Sequence, residues 1–399
     1  MKYKKTVLAC YMGYVIQAIV NNYAALLLVT FQKEYLLSMT EMTLLITVNF
    51  VVQLLMDLAS AFFIDKIGYR ASAVLAHIAA AAGLGGLTFF PALTADAFTG
   101  LLAAVICYAA GGGLLEVLIS PIIEALPLEN KEKHMSLLHS FYCWGHMAVV
   151  LLSTILFAVF GIQQWRILTW LWALLSALNI ILFMDCPIFH LISKGEKGDS
   201  LSSLFHKPVF WLLILMMVCS GASNNGISQW LSAFLEGTLA VPKNVGDITG
   251  TMAYAMLMGL SRVMYAKCSE KIELKKAILY SSLGCVMAYL LISIPQAPLL
   301  NILGCSLCGF SVGLLWPGTF SIASSAMRQG GTLLFALLAL AGDIGCAAGP
   351  GLVGAVTGRY GGDMKLGILA GSLFPILMLL CILYGNIKKI WKVRKENEI

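Results

Sequence analysis

Apolar residues run along this chain in stretches of twenty or more, separated by short polar segments. About 20 apolar residues, coiled as a helix, cross the hydrocarbon core of a bilayer. By that measure the pattern predicts twelve membrane-spanning helices. They fall at residues 6–31, 40–64, 71–94, 97–125, 134–160, 165–186, 208–236, 246–266, 276–295, 299–325, 331–357 and 365–387. Helices are the expected spanning form because each satisfies its own backbone hydrogen bonds where no water is at hand. The fold class that follows is an all-α membrane protein.

Composition agrees. The chain of 399 residues is 59% hydrophobic and 12% charged, whereas about a quarter of a soluble domain is charged. The net charge of +6 does not point to nucleic acid, because the basic residues sit in the short segments between spans. With the N-terminus placed in the cytoplasm, twenty Lys and Arg fall in cytoplasmic segments and five in external ones. That bias orients the protein with both termini inside, as an even number of spans requires. The expected location is the cell membrane. Met1–Lys5 is basic, but Thr6–Phe31 is too long for the apolar core of a signal peptide. The 11 cysteines lie almost entirely within spans. Cys305 and Cys308 form a CxxC with no second pair, so they read as small packing residues, with no metal site and no cofactor expected.

The longest cytoplasmic segment is "PIFHLISKGEKGDSLSSLFHK", a polar stretch after span six. It divides the chain into an N-terminal six-helix half (residues 1–186), a linker (187–207) and a C-terminal six-helix half with a short basic tail (208–399). The halves carry a repeat. "AFFIDKIGYRAS" follows span two, and "AKCSEKIELKKA" follows span eight, with Asp65-Lys66 matched by Glu270-Lys271 205 residues later. Pseudo-symmetric halves of this kind place a substrate site near the midplane between them.

Asp65-Lys66-x-Gly68-x-Arg70 resembles the cytoplasmic signature loop of the major facilitator superfamily, with Ala61 at the usual leading glycine. The resemblance implies the major facilitator fold and a gating role for these residues, the acid helping to latch the halves. A narrower likeness joins "NNYAALLLVTFQKEY", "GGLLEVLISP", "SLLHSFYCWG" and "GLLWPGTFSIA" to the fucose–proton symporter branch. It implies a buried acid in span four followed by a proline (Glu116 and Pro121). It also implies sugar-facing polar positions in span five (His139, Tyr142) and an aromatic-proline pair in span ten (Trp316-Pro317). The acid which that branch carries in span one is Ala25 here, while span eleven carries Asp343.

Helical spacing adds to this. Tyr14, Gln17 and Asn21 share one face of span one. His139, Tyr142, Cys143 and His146 share one face of span five, and Asn225, Ser228, Gln229 and Ser232 one face of span seven. Lipid cannot bond these groups, so they face other helices or water. They act either as interhelical glue or as the lining of a wet cavity. The candidate substrate-binding set is Gln17, Asn21, Asn22, His139, Tyr142, His146, Asn224, Asn225, Gln229 and Trp316. Its amides, imidazoles and hydroxyl suit a hydroxyl-rich ligand, being donors and acceptors both.

Glu116 lies about ten residues from the cytoplasmic end of span four, roughly 15 Å in. Withdrawal from water disfavours its charged form, and a carboxyl so placed can load a proton on one side and lose it on the other. Its alternative is a permanently protonated structural acid. Asp343 is a second proton-coupling candidate, a ligand for a cationic solute, or a partner for Arg262. Arg262 in span eight requires an acid or water, with Asp57, Glu124 and Asp343 as candidates, and serves either as a gate or in a fixed pair. Glu124 is expected near the cytoplasmic interface, capping or snorkelling. Gly349-Pro350-Gly351 is a possible hinge.

These readings converge on a secondary active transporter of a small polar solute such as a sugar, taken up with protons by alternating access. Its partners would be the solute, protons and the lipid bilayer, and it would act as a monomer. An exporter of drugs or metabolites and a non-transporting membrane sensor are the alternatives. No G-x-x-x-x-G-K-[ST], H-E-x-x-H or G-x-S-x-G occurs, so no catalytic set is recognised and the chain does not read as an enzyme.

Overall fold

The computed structural model describes residues 3–192, 198–237, 250 and 252–388. The described residues are helical, without strands. The chain forms two compact units. The first comprises Met1–Pro127 with Phe141–Ser193, and the second Leu128–Ser140 with Lys194–Ile399.

The first unit is built from α1 (Lys4–Tyr35), α2 (Met39–Ile67), α3 (Tyr69–Leu93), α4 (Ala97–Ala125), most of α5 (Lys131–Phe160) and α6 (Trp165–Asp185). Local chemistry sets the ends. Ser38 and Glu41 form a reciprocal capping box at the start of α2. Asp96 accepts from the Thr99 amide at 2.8 Å to start α4. Gly68 stands between α2 and α3 at φ 88°, ψ 152°, a region of the backbone map open essentially to glycine alone. This explains the glycine of the signature loop.

α6 shows how such a helix sits in a bilayer. Ile167, Leu171, Leu174, Leu178 and Ile181 form one stripe, each at least half exposed. The opposite face, with Trp172, Ser176, Asn179 and Phe183, is buried. A water-soluble helix presents polar groups on its free face; here the free face is apolar and the polar groups point inward. Behind it lies a buried polar set. His77 Nδ1 donates to the Ala73 carbonyl at 2.7 Å, and Asn179 Nδ2 donates to His77 Nε2 at 2.8 Å and to the Ala9 carbonyl at 3.0 Å.

The second unit contains the first turns of α5, a short α7 (Leu201–Phe205), α8 (Pro208–Ser228), α9 (Leu231–Gly237), α10 (Ala253–Cys268), α11 (Leu274–Ser293), α12 (Pro298–Val312), α13 (Leu315–Ala326), α14 (Gly331–Arg359), α15 (Met364–Gly371) and α16 (Leu373–Ile387). Three expected spans are therefore each two helices. Span seven is α8 and α9, span ten is α12 and α13, and span twelve is α15 and α16. Two of these interruptions carry a side-chain hydrogen bond to a backbone carbonyl. At the α12–α13 junction the Gly313 carbonyl accepts from Arg262 Nε at 2.7 Å. At the α15–α16 junction the Ser372 hydroxyl takes the Leu369 carbonyl at 2.6 Å. α14, by contrast, runs unbroken through Gly349-Pro350-Gly351, and Trp230 Nε1 donates to the Pro350 carbonyl at 3.1 Å.

Among the described residues, ten helical segments are long and apolar enough to cross a membrane. α1, of 32 residues, and α10, of 16, lie at the two remaining expected spans; residues 246–249 and 251 of the eighth expected span lie outside the described residues.

Candidate functional site

In the first unit the polar face of α1 meets α4 and α5. Gln17 is buried and its Nε2 donates to Glu116 Oε2 at 2.6 Å. One turn toward the N-terminal end of α1, Tyr14 and Ser120 hydroxyls share a bond at 3.0 Å. One turn the other way, Asn21 Nδ2 donates to the Tyr142 hydroxyl at 3.3 Å. The three predicted stripe residues of α1 thus each find a polar partner on a neighbouring helix. Glu116 and Ser120 are i, i+4 on α4, so both face α1; that spacing was a readable signal for Ser120, which the sequence reading missed. Close approach makes the contact possible. A Cβ on Gly145 would lie 2.9 Å from Val15 Cα, and one on Gly112 would lie 2.7 Å from a Val20 methyl. Asn22 Nδ2 donates to its own helix at the Ala18 carbonyl, 2.8 Å, and its side chain also interacts with the Tyr142 hydroxyl.

The face keeps unused hydrogen-bonding capacity. Gln17 Oε1 and Asn21 Oδ1 are buried and meet no hydrogen-bond donor among the described residues. The Gln17 amide therefore presents both a donor, on Glu116, and an open acceptor.

In the second unit His139 is buried and stacks on Phe320, with centroids 5.8 Å apart and planes at 21°. Phe320 stacks in turn on Phe335 at 5.2 Å, and Trp316 meets its edge at 6.3 Å. Trp316 lies against α14 at Gly342, where a Cβ would be 2.2 Å from the indole; half-buried Asp343 is the next residue. Asn225 Nδ2 donates to the Cys346 carbonyl at 3.3 Å, and the Tyr254 hydroxyl sits 3.1 Å from Asn224 Oδ1. Gln229 is exposed at the turn that ends α8, and His146 is half-buried in the first unit.

Among the gating candidates, Arg262 is buried and donates to the carbonyls of Gly313, at 2.7 Å, and His139, at 2.5 Å, while its own carbonyl accepts from Ser136 Oγ at 2.8 Å. The guanidinium fork suits several carbonyls at once. Asp57 is fully buried, and Glu124, expected to cap or snorkel, is buried too, at 6% exposure. Asp65 and Lys66 are exposed. Arg70 donates to the carbonyls of Phe183 (2.7 Å), Met184 and Cys186 (2.8 Å), closing the C-terminus of α6.

The Major Facilitator Superfamily model matches residues 10–350. The chain belongs to that superfamily. Its members are transporters, not enzymes, and the protein is accordingly a multi-pass membrane transporter of the major facilitator fold. Solved structures agree. The fucose–proton symporter FucP, in its outward conformation, superposes with a TM-score of 0.82 at 15% identity, over 96% of this chain and 99% of that one. A double-tryptophan mutant of the proton–xylose symporter XylE gives 0.83 at 11%, over 98% and 96%. The human organic anion transporter MFSD10 gives 0.72 at 14%, over 98% and 99%. At such identities the likeness is one of fold. No curated protein matches the sequence significantly.

Proposed function

We propose that this transporter takes up a small hydroxyl-rich solute, most simply a sugar or polyol, together with protons, and that Glu116 carries the coupled proton. It would work by alternating access, as a monomer in the cell membrane with both termini in the cytoplasm. The observation that carries the reading is the Gln17–Glu116 hydrogen bond with the Gln17 oxygen left open beside it. An ionised carboxylate accepts from the amide nitrogen; a protonated carboxyl can donate to the amide oxygen. Gln17 thus accommodates both charge states, as a carboxyl that exchanges protons requires and a permanently protonated one does not.

The next turn of α1 supplies the solute end. Asn21 and Tyr142 offer an amide oxygen and a hydroxyl, the complement of a polyol. Asn21 and Gln17 are one turn apart on one helix face, so solute bound at the first is felt at the second. Binding that favours protonated Glu116 is, by reciprocity, proton binding that favours solute. The similarity of fold to two proton–sugar symporters is consistent with this. Asp343, next to the Trp316–Gly342 contact, is the second coupling candidate.

The test is uptake by proteoliposomes of labelled monosaccharides and polyols, with and without an inward proton gradient. A one-unit pH gradient is worth about 1.4 kcal/mol per proton, or up to about tenfold accumulation. Glu116→Gln keeps the shape and the amide contact; it is expected to abolish accumulation while leaving solute exchange. If E116Q still concentrates solute, Glu116 is not the coupling acid and Asp343→Asn is expected to show the loss instead.

A further inference from the structure

A row of oxygen-bearing side chains continues from Glu116 along α4. Glu116, Ser120 and Glu124 stand four residues apart. Residues at that spacing form one ridge of a helix, with steps of about 6 Å along the axis. All three belong to the first unit. Glu116 is half-buried, so it keeps contact with solvent. Beyond it the row closes: Tyr14 is 3% exposed and Ser120 not at all. Their hydroxyls meet at 3.0 Å, midway along the row. Glu124 stands one residue before the end of α4 and regains 6% exposure. Helical side chains lean toward the N-terminus of their own helix, which inclines Glu124 toward Ser120.

The walls of the row decide what passes. α1 presses on α4 here, since a Cβ on Gly13 would lie 2.0 Å from Ile119 Cδ1. Ile119 and Ile123, on the same side of α4, are buried. A seam this close excludes solute and metal ions. Protons are different, because a hydroxyl accepts one hydrogen on its oxygen while it releases its own. In the Tyr14–Ser120 pair either oxygen serves as the donor, so the pair works in both senses and neither hydroxyl need hold a charge. A gap of one helical turn on either side of the pair is within the reach of a single bridging water.

We propose that the proton released by Glu116 leaves through this row, relayed by the Tyr14–Ser120 hydroxyl pair and received by Glu124, at the end of α4 that the proposed orientation puts in the cytoplasm. The assignment rests on Glu116 as the coupling acid and adds the route by which its proton departs. The transfer balances. The O–H bond of Glu116 breaks, each hydroxyl gains one hydrogen and gives up another, and a new O–H bond forms on the Glu124 carboxylate. Glu124 then gives the proton to water and is a carboxylate again, while Glu116 is left ionised. The burial of Glu124 follows from this role, since an acid that only capped the helix would have no need to turn inward.

The experiment uses the full-length transporter in proteoliposomes, with a labelled sugar or polyol that it carries. Two modes are compared. Net uptake under an inward proton gradient requires Glu116 to lose its proton in every cycle; exchange of internal for external solute without a gradient does not. In Ser120→Ala and in Tyr14→Phe, net uptake is expected to slow at least about tenfold, with exchange within about twofold of the wild type. Ser120→Thr keeps a hydroxyl and should restore most of the rate. Glu124→Gln should slow net uptake as S120A does. Hydroxyls that merely hold the helices together would lower both modes and the melting temperature alike. Where S120A fails to fold, Y14F, which keeps the ring, decides in its place. Equal loss in both modes, unchanged net uptake in S120A and Y14F, or normal net uptake in E124Q overturns the relay. E116Q, assayed alongside, separates the two readings. If it still accumulates solute, Glu116 is not the coupling acid and the relay falls with it. If it fails to accumulate while the hydroxyl variants behave as wild type, the relay alone falls.

Discussion

The packing of α8 on α14 gives a stability prediction whose size comes from the geometry. A Cβ on Gly345 would lie 2.1 Å from the Val218 carbonyl oxygen, with Val218 C at 2.8 Å and Cα at 2.9 Å. The same seam places Gly221 against the Gly342 carbonyl and Gly349 against that of Ala222. These neighbours are backbone, so no side chain can rotate out of the way. In Gly345→Ala the helices must part by about 1 Å, which forfeits a quarter to a half of the dispersion energy at each contact. Overpacking typically costs about 1–3 kcal/mol, and the backbone obstruction argues for the upper end. Alanine returns up to about 1 kcal/mol of helix propensity. The net loss is about 2 kcal/mol, a fall in Tm of roughly 4–8 °C for a unit of this size.

The control lies on the same helix. Nothing stands within 4 Å of a Cβ on Gly358, so Gly358→Ala is expected to be neutral or slightly stabilising. Most of the eleven cysteines are buried and all are free, so a thiol-reactive dye in detergent reports unfolding of both variants at one scan rate. If G345A melts at or above the wild type, or G358A falls as far, close helix approach is not what these glycines provide.

Arg70→Gln removes three bonds to the end of α6 and is expected to cost about 1–2 kcal/mol, read as a lower Tm. Arg70→Lys should recover less than half of this, because an ammonium cannot fork across several carbonyls. The Thr99 side chain and backbone amide hold the Asp96 carboxyl below the usual carboxylate range. Its stabilising contribution is therefore complete above about pH 4 and is lost as pH falls through the lowered value. Melting curves between pH 7 and pH 3 should show a steeper acid loss in the wild type than in Asp96→Ala.

The spans were legible because twenty apolar residues leave the backbone no other solution in lipid, and α6 shows the rule in its inverted polarity. The Tyr14–Gln17–Asn21 stripe was legible for a related reason: polar side chains at helical spacing must share a face. What it faced was not. Glu116 and Ser120 become its partners through glycines that let the helices close, and a one-dimensional pattern holds no distances. The interruptions at Gly313 and Ser372 were hidden for a similar reason. One depends on Arg262, 51 residues away, and the other on a serine competing for a carbonyl that could equally well have stayed in the helix. Asn49 was legible by the same rule but was missed: Gln53, Asp57 and Ser60 follow it at i+4, i+8 and i+11 on α2, and all four are buried.

An unsatisfied oxygen does not by itself mark a functional site. Asn179 and Asn301 have one each, and both are structural: Asn179 Nδ2 spans His77 and Ala9, and Asn301 Nδ2 gathers three carbonyls at the end of α11. In each the amide is used for its donor, and the idle acceptor is the cost of that use. Gln17 differs because its donor rests on a group that can itself gain a proton. On the proposed reading Gln17 serves transport, whereas Asn179 and Asn301 hold the helices together. Replacing Asn179 or Asn301 should therefore lower Tm without altering which solutes compete. The proposed proton site should behave the other way round.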